Sequence, residues 1–192
     1  MTHTDARQGA WIQTFTGRQF WPMDARPDEI DIRDIAHSLS MQCRFNGHCR
    51  AFYSVAEHSV HVSRVASPEH ALWGLLHDSA ETYLSDVPKP IKEALYIFNP
   101  DGEEGSRLSG VLVFEHKLLR VISRRFRLPD CLPPEVLLAD LQMLSTEKGF
   151  LMGKEPAAWE PMPEPLDRSI IKCWTPGQAE REFLNRFNEL SK

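Results

Sequence analysis

Four histidine and aspartate residues have the side-chain chemistry of a metal site. His58 stands early in one predicted helix, and His77 and Asp78 are adjacent on the next. Asp140 lies on a later helix of its own. Imidazole nitrogen combined with carboxylate oxygen suits Mn, Fe, Co, Ni or Zn better than Ca, and three helices can bring such ligands together inside a bundle. Adjacent helical residues point about 100° apart, so His77 and Asp78 reach one ion only if it lies between their directions.

The His77-Asp78 pair taken alone has a second interpretation. A single histidine in the apolar segment LLHDSAE could equally be a core histidine that is hydrogen-bonded to a carbonyl group. The HD dipeptide is common in proteins, and composition does not decide between a core histidine and a metal ligand.

The elements that must position these residues are helical. Apolar residues recur at helical spacing after Asp31, and Ser54 to Glu57 form a capping box in which Ser54 accepts from the N3 amide and Glu57 reaches back. Thr175 is the expected N-cap of the last helix. We predict helices from 31 to near 45–47, then over 55–66, 67–84, 91–98, 111–126, 134–150 and 176–190.

Strand signals are few, so the predicted fold class is all-α. A short hairpin around Gly17 or irregular structure is expected near the N-terminus. Residues 99–106 and the Pro-rich residues 154–165 are predicted loops. With 192 residues, we predict one domain, in which 1–30 is an N-terminal extension, 31–150 a metal-binding helical core, and 151–192 the Pro-rich loop and C-terminal helix.

Charge and cysteine usage limit the functional classes. The formal net charge of −5 does not suggest general attraction to a nucleic-acid backbone, so an anionic ligand needs local basic groups. The four cysteines form no CxxC pair, which favours free thiols in a reducing compartment. No signal peptide and no segment of membrane-spanning length is recognised, so we expect a cytoplasmic protein without a membrane partner.

Three segments together resemble the HD-domain phosphohydrolase superfamily. They are FYSVAEHSVHVSR, ALWGLLHDSAETYLSDVPKPIK and EVLLADLQMLSTE. The similarity is greatest to the bacterial deoxynucleoside five-prime-monophosphatases and the related phage dATP triphosphohydrolases, and IAHSLSMQCRFNGH also resembles that subgroup. The resemblance spans roughly residues 31–147. It implies an all-helical HD domain, an essential divalent metal, and hydrolysis of a nucleotide phosphoester or anhydride by a metal-activated water.

The resemblance also implies roles for individual residues. The ligands of one divalent transition metal (Mn, Co, Ni, Fe or Zn, with Mg possible) are His58, His77, Asp78 and Asp140. Glu81 matches the carboxylate of the HDxxE string and would act on the attacking water. Asp86 would share the proton transfer or contact the sugar, although it could instead only cap the turn.

Three further residues are candidates for substrate binding. By the same resemblance, Arg44 and Lys92 would hold the phosphate, since a guanidinium fork matches phosphate geometry and a lysine supplies a point charge. Phe45 would stack on a base. Phe45 stands where the monophosphatases have Trp, which leaves the monophosphate and triphosphate interpretations both open.

Other titratable residues are weaker candidates. Glu115 and His116 could serve a second metal, but we expect the pair to face solvent. His61 could line the same helix face as His58, and His37 could support the metal ligands from the preceding helix. A zinc site around His48 is disfavoured by the cysteine spacing.

Two alternatives to a nucleotidase or triphosphohydrolase remain open at this point. One is a phosphodiesterase acting on a cyclic or signalling nucleotide. The other is a catalytically silent HD scaffold that binds metal or nucleotide as a sensor, which the presence of all four ligand positions and Glu81 disfavours. The expected partners are a small nucleotide and further copies of the chain in a homo-oligomer.

Overall fold

In the computed structural model, which describes residues 7–98 and 108–192, helices form the body of the protein. The predicted all-α class is therefore confirmed, and strand structure is confined to two short antiparallel pairs in the described residues. The predicted loop over 99–106 lies outside these residues. The helices are α1 Ile32–Met41, α2 Val55–Val65, α3 Ala71–Leu76, α4 Glu81–Leu84, α5 Lys89–Lys92, α6 Val111–Arg125, α7 Pro134–Leu151 and α8 Pro176–Leu190.

The N-terminal segment forms the hairpin that was one of the two expectations for it. Strand β1 (Ile12–Gln13) pairs with β2 (Gln19–Phe20), and Gly17 supplies the left-handed conformation of the turn, at φ 82°. The backbone N–H and the hydroxyl of Thr16 donate to the buried Asp34 carboxylate on α1, at 2.7 and 3.0 Å. This pair of hydrogen bonds fixes the hairpin against α1.

Helix α1 ends earlier than predicted. It stops at Met41, and Gln42 is extended. Cys43 then forms a bridge with Ser54, and the Arg44 amide donates to the Tyr53 carbonyl at 2.9 Å. The backbone groups that would have continued the helix are thus paired with the segment that precedes α2. Gly47 ends a short 3₁₀ turn over Arg44–Gly47 rather than a helix.

The predicted helix over 67–84 is wrong as a single element. Its first residues form a turn that precedes α3, and a tight turn over 77–80 separates α3 from α4. Two i→i+3 hydrogen bonds make this second turn, from the Ser79 amide to Leu76 O at 3.0 Å and from the Glu81 amide to Asp78 O at 2.9 Å. His77 and Asp78 therefore lie in a tightened turn, not in the middle of a regular helix.

Helices α2 and α3 pack at very short range through Gly74. A Cβ atom at this position would lie 3.0 Å from the Ser63 Cα and 3.2 Å from the Val62 carbonyl oxygen. Only glycine allows the two backbones to approach this closely. This contact involves the C-terminal half of α2, and on α3 it lies three residues before His77.

The predicted helix over 91–98 is wrong, whereas the three later helices are confirmed. The chain leaves α5 at Lys92 and forms β3 (Tyr96–Phe98), which pairs with β4 (Leu108–Gly110). The aromatic residues Tyr96 and Phe98 suit a strand, and their backbone partners lie beyond the predicted loop, so no local pattern reveals them. Helices α6, α7 and α8 lie within one residue of their predicted limits, and Gln178 and Thr175 form a capping box at the start of α8.

The main apolar core lies between α1, α2, α3, α6 and α8. Its fully buried members include Phe20, Leu39, Leu76, Ile122 and Phe183. Helix α8 packs against α1, α2 and α3. This core fixes α2 and α3 relative to each other, and a second apolar cluster, which includes Trp73, Ala139 and Met143, packs α7 against them.

Glu57 makes only one of the two hydrogen bonds that the predicted capping box requires. Its amide donates to Ser54 Oγ at 3.0 Å, as expected. Its fully buried carboxylate does not reach back. Instead it accepts three backbone N–H groups at 2.6–2.9 Å from the segment before α8, namely those of Lys172, Cys173 and Trp174.

Cysteine chemistry agrees with the prediction of free thiols. All four cysteines are unpaired, although the sulfur atoms of Cys43 and Cys49 lie 3.5 Å apart. Among the residues that the structure describes, none of the helices is both long and apolar enough to cross a bilayer.

We predict that Glu57→Ala lowers the free energy of unfolding by roughly 2–4 kcal/mol, because three amides lose a charged acceptor. Urea denaturation followed by circular dichroism measures this change. The control Glu69→Ala, at an exposed site on the chain between α2 and α3, should change the free energy by no more than about 0.5 kcal/mol. Equal effects of the two substitutions would contradict this role of Glu57.

Candidate metal centre

Three of the predicted ligands converge on one point. The Nε2 atoms of His58 and His77 lie 3.2 Å apart. Asp78 Oδ2 is 3.6 Å from the first of these nitrogens and 3.2 Å from the second. Donor atoms about 2.1 Å from a common ion are separated by about 3.0 Å at right angles and about 3.4 Å at tetrahedral angles. His58, His77 and Asp78 therefore form a group that could hold a metal ion.

The His77 ring is oriented by its own backbone turn. Its Nδ1 lies 2.8 Å from the Gly74 carbonyl oxygen. A carbonyl oxygen can only accept, so Nδ1 carries the proton, and the lone pair of Nε2 points towards the centre. Because Gly74 is also the point of closest approach to α2, one residue sets both the ring orientation and the helix packing.

The His58 ring is oriented by Glu147 on α7, a residue that the sequence did not single out. Nδ1 of His58 donates to Glu147 Oε1 at 2.6 Å, which again leaves Nε2 as an acceptor. The fully buried Glu147 also accepts from the Tyr53 hydroxyl at 2.9 Å and from Arg44 Nε at 3.1 Å. The only sequence signal for Glu147 is its position two helical turns after Asp140, on the same face of α7.

Asp140 lies beside the two imidazoles, as predicted. Its Oδ1 is 3.0 Å from His58 Nε2 and 3.8 Å from His77 Nε2. Its side chain is partly exposed, in contrast to the two buried histidines. All four predicted ligands are thus brought together from α2, the α3–α4 turn and α7.

The centre combines buried imidazoles with ionised carboxylates. Burial opposes protonation of His77, but Asp78 and Asp140 outweigh it and hold its pKa well above the ordinary value. Burial and Arg44 likewise oppose protonation of His58, but Glu147 and Asp140 raise its pKa. Burial opposes ionisation of Asp78, yet the two histidines lower its pKa to about 2. Without a metal, protons therefore compete for both Nε2 atoms.

Arg44 lies at the edge of this centre, held by two carboxylates. Its Nη1 is 3.5 Å from Asp78 Oδ2, in addition to the contact of Nε with Glu147. Nη2 makes no hydrogen bond to the described residues. The Phe45 ring lies 5.5 Å from the guanidinium carbon and is partly buried against Tyr53 and Leu151. Phe45 is thus beside the predicted phosphate-binding residue, but much of its surface already packs against the protein.

The predicted Glu81, Lys92 and Asp86 lie on the α4–α5 side of the centre. Lys92 Nζ donates to Glu81 Oε1 at 3.3 Å and to Glu115 Oε1 at 2.8 Å. Glu81 Oε2 is buried and has no hydrogen-bond partner in the described residues. Burial, with Asp78 and Asp86 nearby, raises the pKa of Glu81 well above its usual range. Burial also raises the pKa of Asp86, whose amide donates to Gln42 Oε1 at 2.9 Å.

The residues that the sequence offered as weaker candidates do not contribute to the group of ligands, and the environment predicted for Glu115 is wrong. Glu115 is not the solvent-facing residue that the sequence suggested, because Lys92 binds its carboxylate, whereas His116 is exposed. His61 packs on Trp174 and lies 3.5 Å from Glu57, so it does not line the centre with His58.

His37 also has a role that differs from the prediction. It stacks on Phe15 and contacts Glu180 at 3.1 Å, so it does not support the metal ligands. His48 is exposed. Neither residue belongs to the group of possible ligands around His58.

We predict that Glu147→Gln weakens divalent-metal affinity by roughly 10- to 100-fold, because the His58 ring loses the carboxylate that orients it. Competition with a fluorescent chelator measures the dissociation constant. Glu69→Gln serves as the exposed control and should leave the constant unchanged. An unchanged constant in Glu147→Gln, with its fold verified by circular dichroism, would show that Glu147 does not tune the site.

We also predict that metal binding releases protons. Since the pKa values of His58 and His77 are raised, affinity should fall as the pH decreases, and this competition should extend above the ordinary histidine pKa of about 6.5. Calorimetric titration in two buffers of different ionisation enthalpy counts the protons released. A binding enthalpy that is independent of the buffer at neutral pH would contradict this account.

Comparisons with known proteins give relatives rather than an activity. No family model matches the chain. The chain is 37% identical to the uncharacterized protein YfdR of Escherichia coli (strain K12) over 186 residues, which cover 95% of this chain and 97% of YfdR. It is also 33% identical over 136 residues to the uncharacterized protein RCAP_rcc00048 of Rhodobacter capsulatus, covering 66% of this chain and 63% of that protein. The chain belongs to the family of YfdR.

Proposed function

We propose that this chain is a divalent-metal-dependent phosphohydrolase of the HD type that acts on nucleotides, with (deoxy)nucleoside mono- or triphosphates as substrates. The observation that carries the proposal is the convergence of acceptor atoms from His58, His77, Asp78 and Asp140. Both imidazoles have Nδ1 committed to a protein acceptor. Their Nε2 lone pairs consequently face each other and two carboxylates, an arrangement that a bound cation satisfies.

The donor set fits a borderline transition metal. Two imidazole nitrogens and carboxylate oxygens suit Mn, Fe, Co, Ni or Zn, with Asp140 as the fourth ligand. A divalent ion held there would supply a nucleophile at neutral pH and a sink for the negative charge of a phosphoryl group. Glu147 and the Gly74 carbonyl hold the two rings in the ligating orientation.

Local basic groups give the anionic substrate a place to bind on a chain of net charge −5. Arg44 uses Nε and Nη1 on protein carboxylates, so Nη2 remains for a phosphate oxygen. Lys92 adds a second positive charge, and Glu81 and Glu115 fix its position. The two cations come from separate elements, the 3₁₀ turn after α1 and helix α5, and both can form charge-assisted hydrogen bonds to a phosphate.

Glu81 is the residue that moves the proton in this proposal. Burial raises its pKa, which favours the protonated form, and its Oε2 is free of protein hydrogen bonds among the described residues. Contact with Lys92 keeps the carboxyl group oriented. Asp86 follows at the turn after α4, and its carboxylate makes no hydrogen bond to the described residues, so it can accept from a sugar hydroxyl.

The test is a substrate panel with the full chain, stripped of metal and refilled with Mn or Co. We expect release of phosphate from deoxynucleoside monophosphates or of triphosphate from deoxynucleoside triphosphates. A nucleoside monophosphate formed from a cyclic substrate would instead identify a phosphodiesterase. No turnover of any substrate with any metal would refute the enzymatic proposal.

Two substitutions separate metal binding from proton transfer. Asp78→Ala should lose the metal and the activity together, whereas Glu81→Gln should keep the metal and lose roughly 100-fold or more in kcat. The control Glu93→Gln, at an exposed position directly after α5, should retain both properties. Full metal content and full activity in Asp78→Ala would refute the ligand assignment.

A further inference from the structure

A cavity of about 530 Å³ lies between the N-terminal hairpin and helices α1 and α4. Its volume falls within the roughly 300–1,000 Å³ that is typical of small-ligand sites. None of the metal ligands lines it, and its walls include residues of the first 30, which the metal centre does not use. The cavity is therefore a separate space beside the centre.

The outer wall of the cavity is held in place by specific contacts. Thr16 is anchored to the buried Asp34, which itself lines the cavity. The neighbouring Phe15 stacks on His37 with ring centroids 3.7 Å apart and an angle of 9° between the planes. Phe15 is nevertheless 59% exposed, so one face of an already oriented ring is open. Such a ring offers a stacking surface for a second planar group.

The lining is partly polar, and its aspartate and its histidine already have protein partners: Asp34 is bound by Thr16, and His37 contacts Glu180. None of the described residues that line the cavity is a lysine or an arginine, so a phosphate has no counter-charge there. Ser38 and Gln42 already donate to protein acceptors, the Thr82 carbonyl, Ser38 Oγ and the Glu81 carbonyl, so they offer a ligand only the remaining lone pairs of their oxygens. Two lining hydroxyls, those of Thr82 and Tyr83, are buried without a hydrogen-bond partner in the described part of the chain.

One cavity residue joins this space to the metal centre. The Gln42 side-chain amide donates to the Glu81 carbonyl oxygen at 3.1 Å, and its oxygen accepts from the Asp86 amide at 2.9 Å. Ser85, between these two residues, lines the cavity with a left-handed backbone at φ 71°. The cavity and the proposed catalytic carboxyls thus share the α4 turn as a common wall.

We propose that this cavity binds a nucleobase, stacked on Phe15 and hydrogen-bonded to the polar groups of α1 and α4. The choice of a nucleobase among planar, uncharged heterocycles rests on the proposed function. The base can belong to the nucleotide being hydrolysed or to a separate nucleoside that binds beside the centre. In both cases the same kind of base would stack on Phe15 and contact the same lining residues.

The binding test uses the four deoxynucleosides, with deoxyribose as the ligand without a base, and the full chain without added metal. We expect saturable binding of at least one deoxynucleoside by calorimetry and none of deoxyribose. Phe15→Ala should weaken that binding roughly 5- to 100-fold, the range for loss of one aromatic stacking partner. The control Trp11→Ala removes another exposed aromatic residue of the same hairpin, outside the cavity lining, and should bind as the wild type does.

Kinetics then distinguish the two sources of the base. If the base belongs to the substrate, Phe15→Ala lowers kcat/KM for a deoxynucleotide but not for deoxyribose 5-phosphate, and free nucleoside competes with the nucleotide. If the nucleoside is a separate ligand, it changes turnover without competing. Binding that depends on Phe15 in a protein without any turnover would uphold the cavity assignment and refute the hydrolase. Absence of deoxynucleoside binding, or equal binding by Phe15→Ala, would overturn the cavity assignment whatever the activity.

Discussion

The structure depends on one electrostatic constraint, the mutual approach of electron-pair acceptors from three elements. The Nε2 atoms of His58 and His77 face each other across 3.2 Å, with oxygens of Asp78 and Asp140 at 3.0–3.8 Å. These atoms repel one another unless a cation or protons lie between them. The nearby carboxylates raise the pKa values of both histidines, so the site has an increased affinity for protons. A divalent ion bound between the same atoms would neutralise their repulsion with two positive charges.

The surrounding structure is organised so that the acceptors cannot turn away. Glu147 holds the His58 ring, and it is fixed in turn by Tyr53 and Arg44. Gly74 lets α3 approach α2 and accepts from the His77 ring. Removing one member of a buried charged network leaves the others uncompensated, which costs more than the single contact. The network therefore has to be complete to be stable, and its completion leaves both Nε2 lone pairs directed at the centre.

The candidate metal ligands could be predicted from the sequence, but the residue that orients the His58 ring could not. The order of His58, His77, Asp78 and Asp140 predicted the residues that meet, because helix-borne ligands repeat in a recognisable string. Glu147 was missed because an acidic residue on α7 that binds an imidazole resembles one that faces solvent.

Two errors in the predicted helix limits also arise from contacts between residues that are distant in sequence. Within the predicted helix over 91–98, residues 96–98 form a strand by pairing with residues 108–110, and α1 ends at Met41 because the next residues pair with those before α2.

The most direct test of the central claim is the X-ray absorption spectrum of the Co²⁺-loaded full chain. We predict one ion per chain, with two imidazole nitrogens and carboxylate oxygens at about 2.0–2.2 Å, and loss of one imidazole or of the whole ion in His58→Ala. An unchanged spectrum in His58→Ala, or no bound ion in the wild type, would contradict the account.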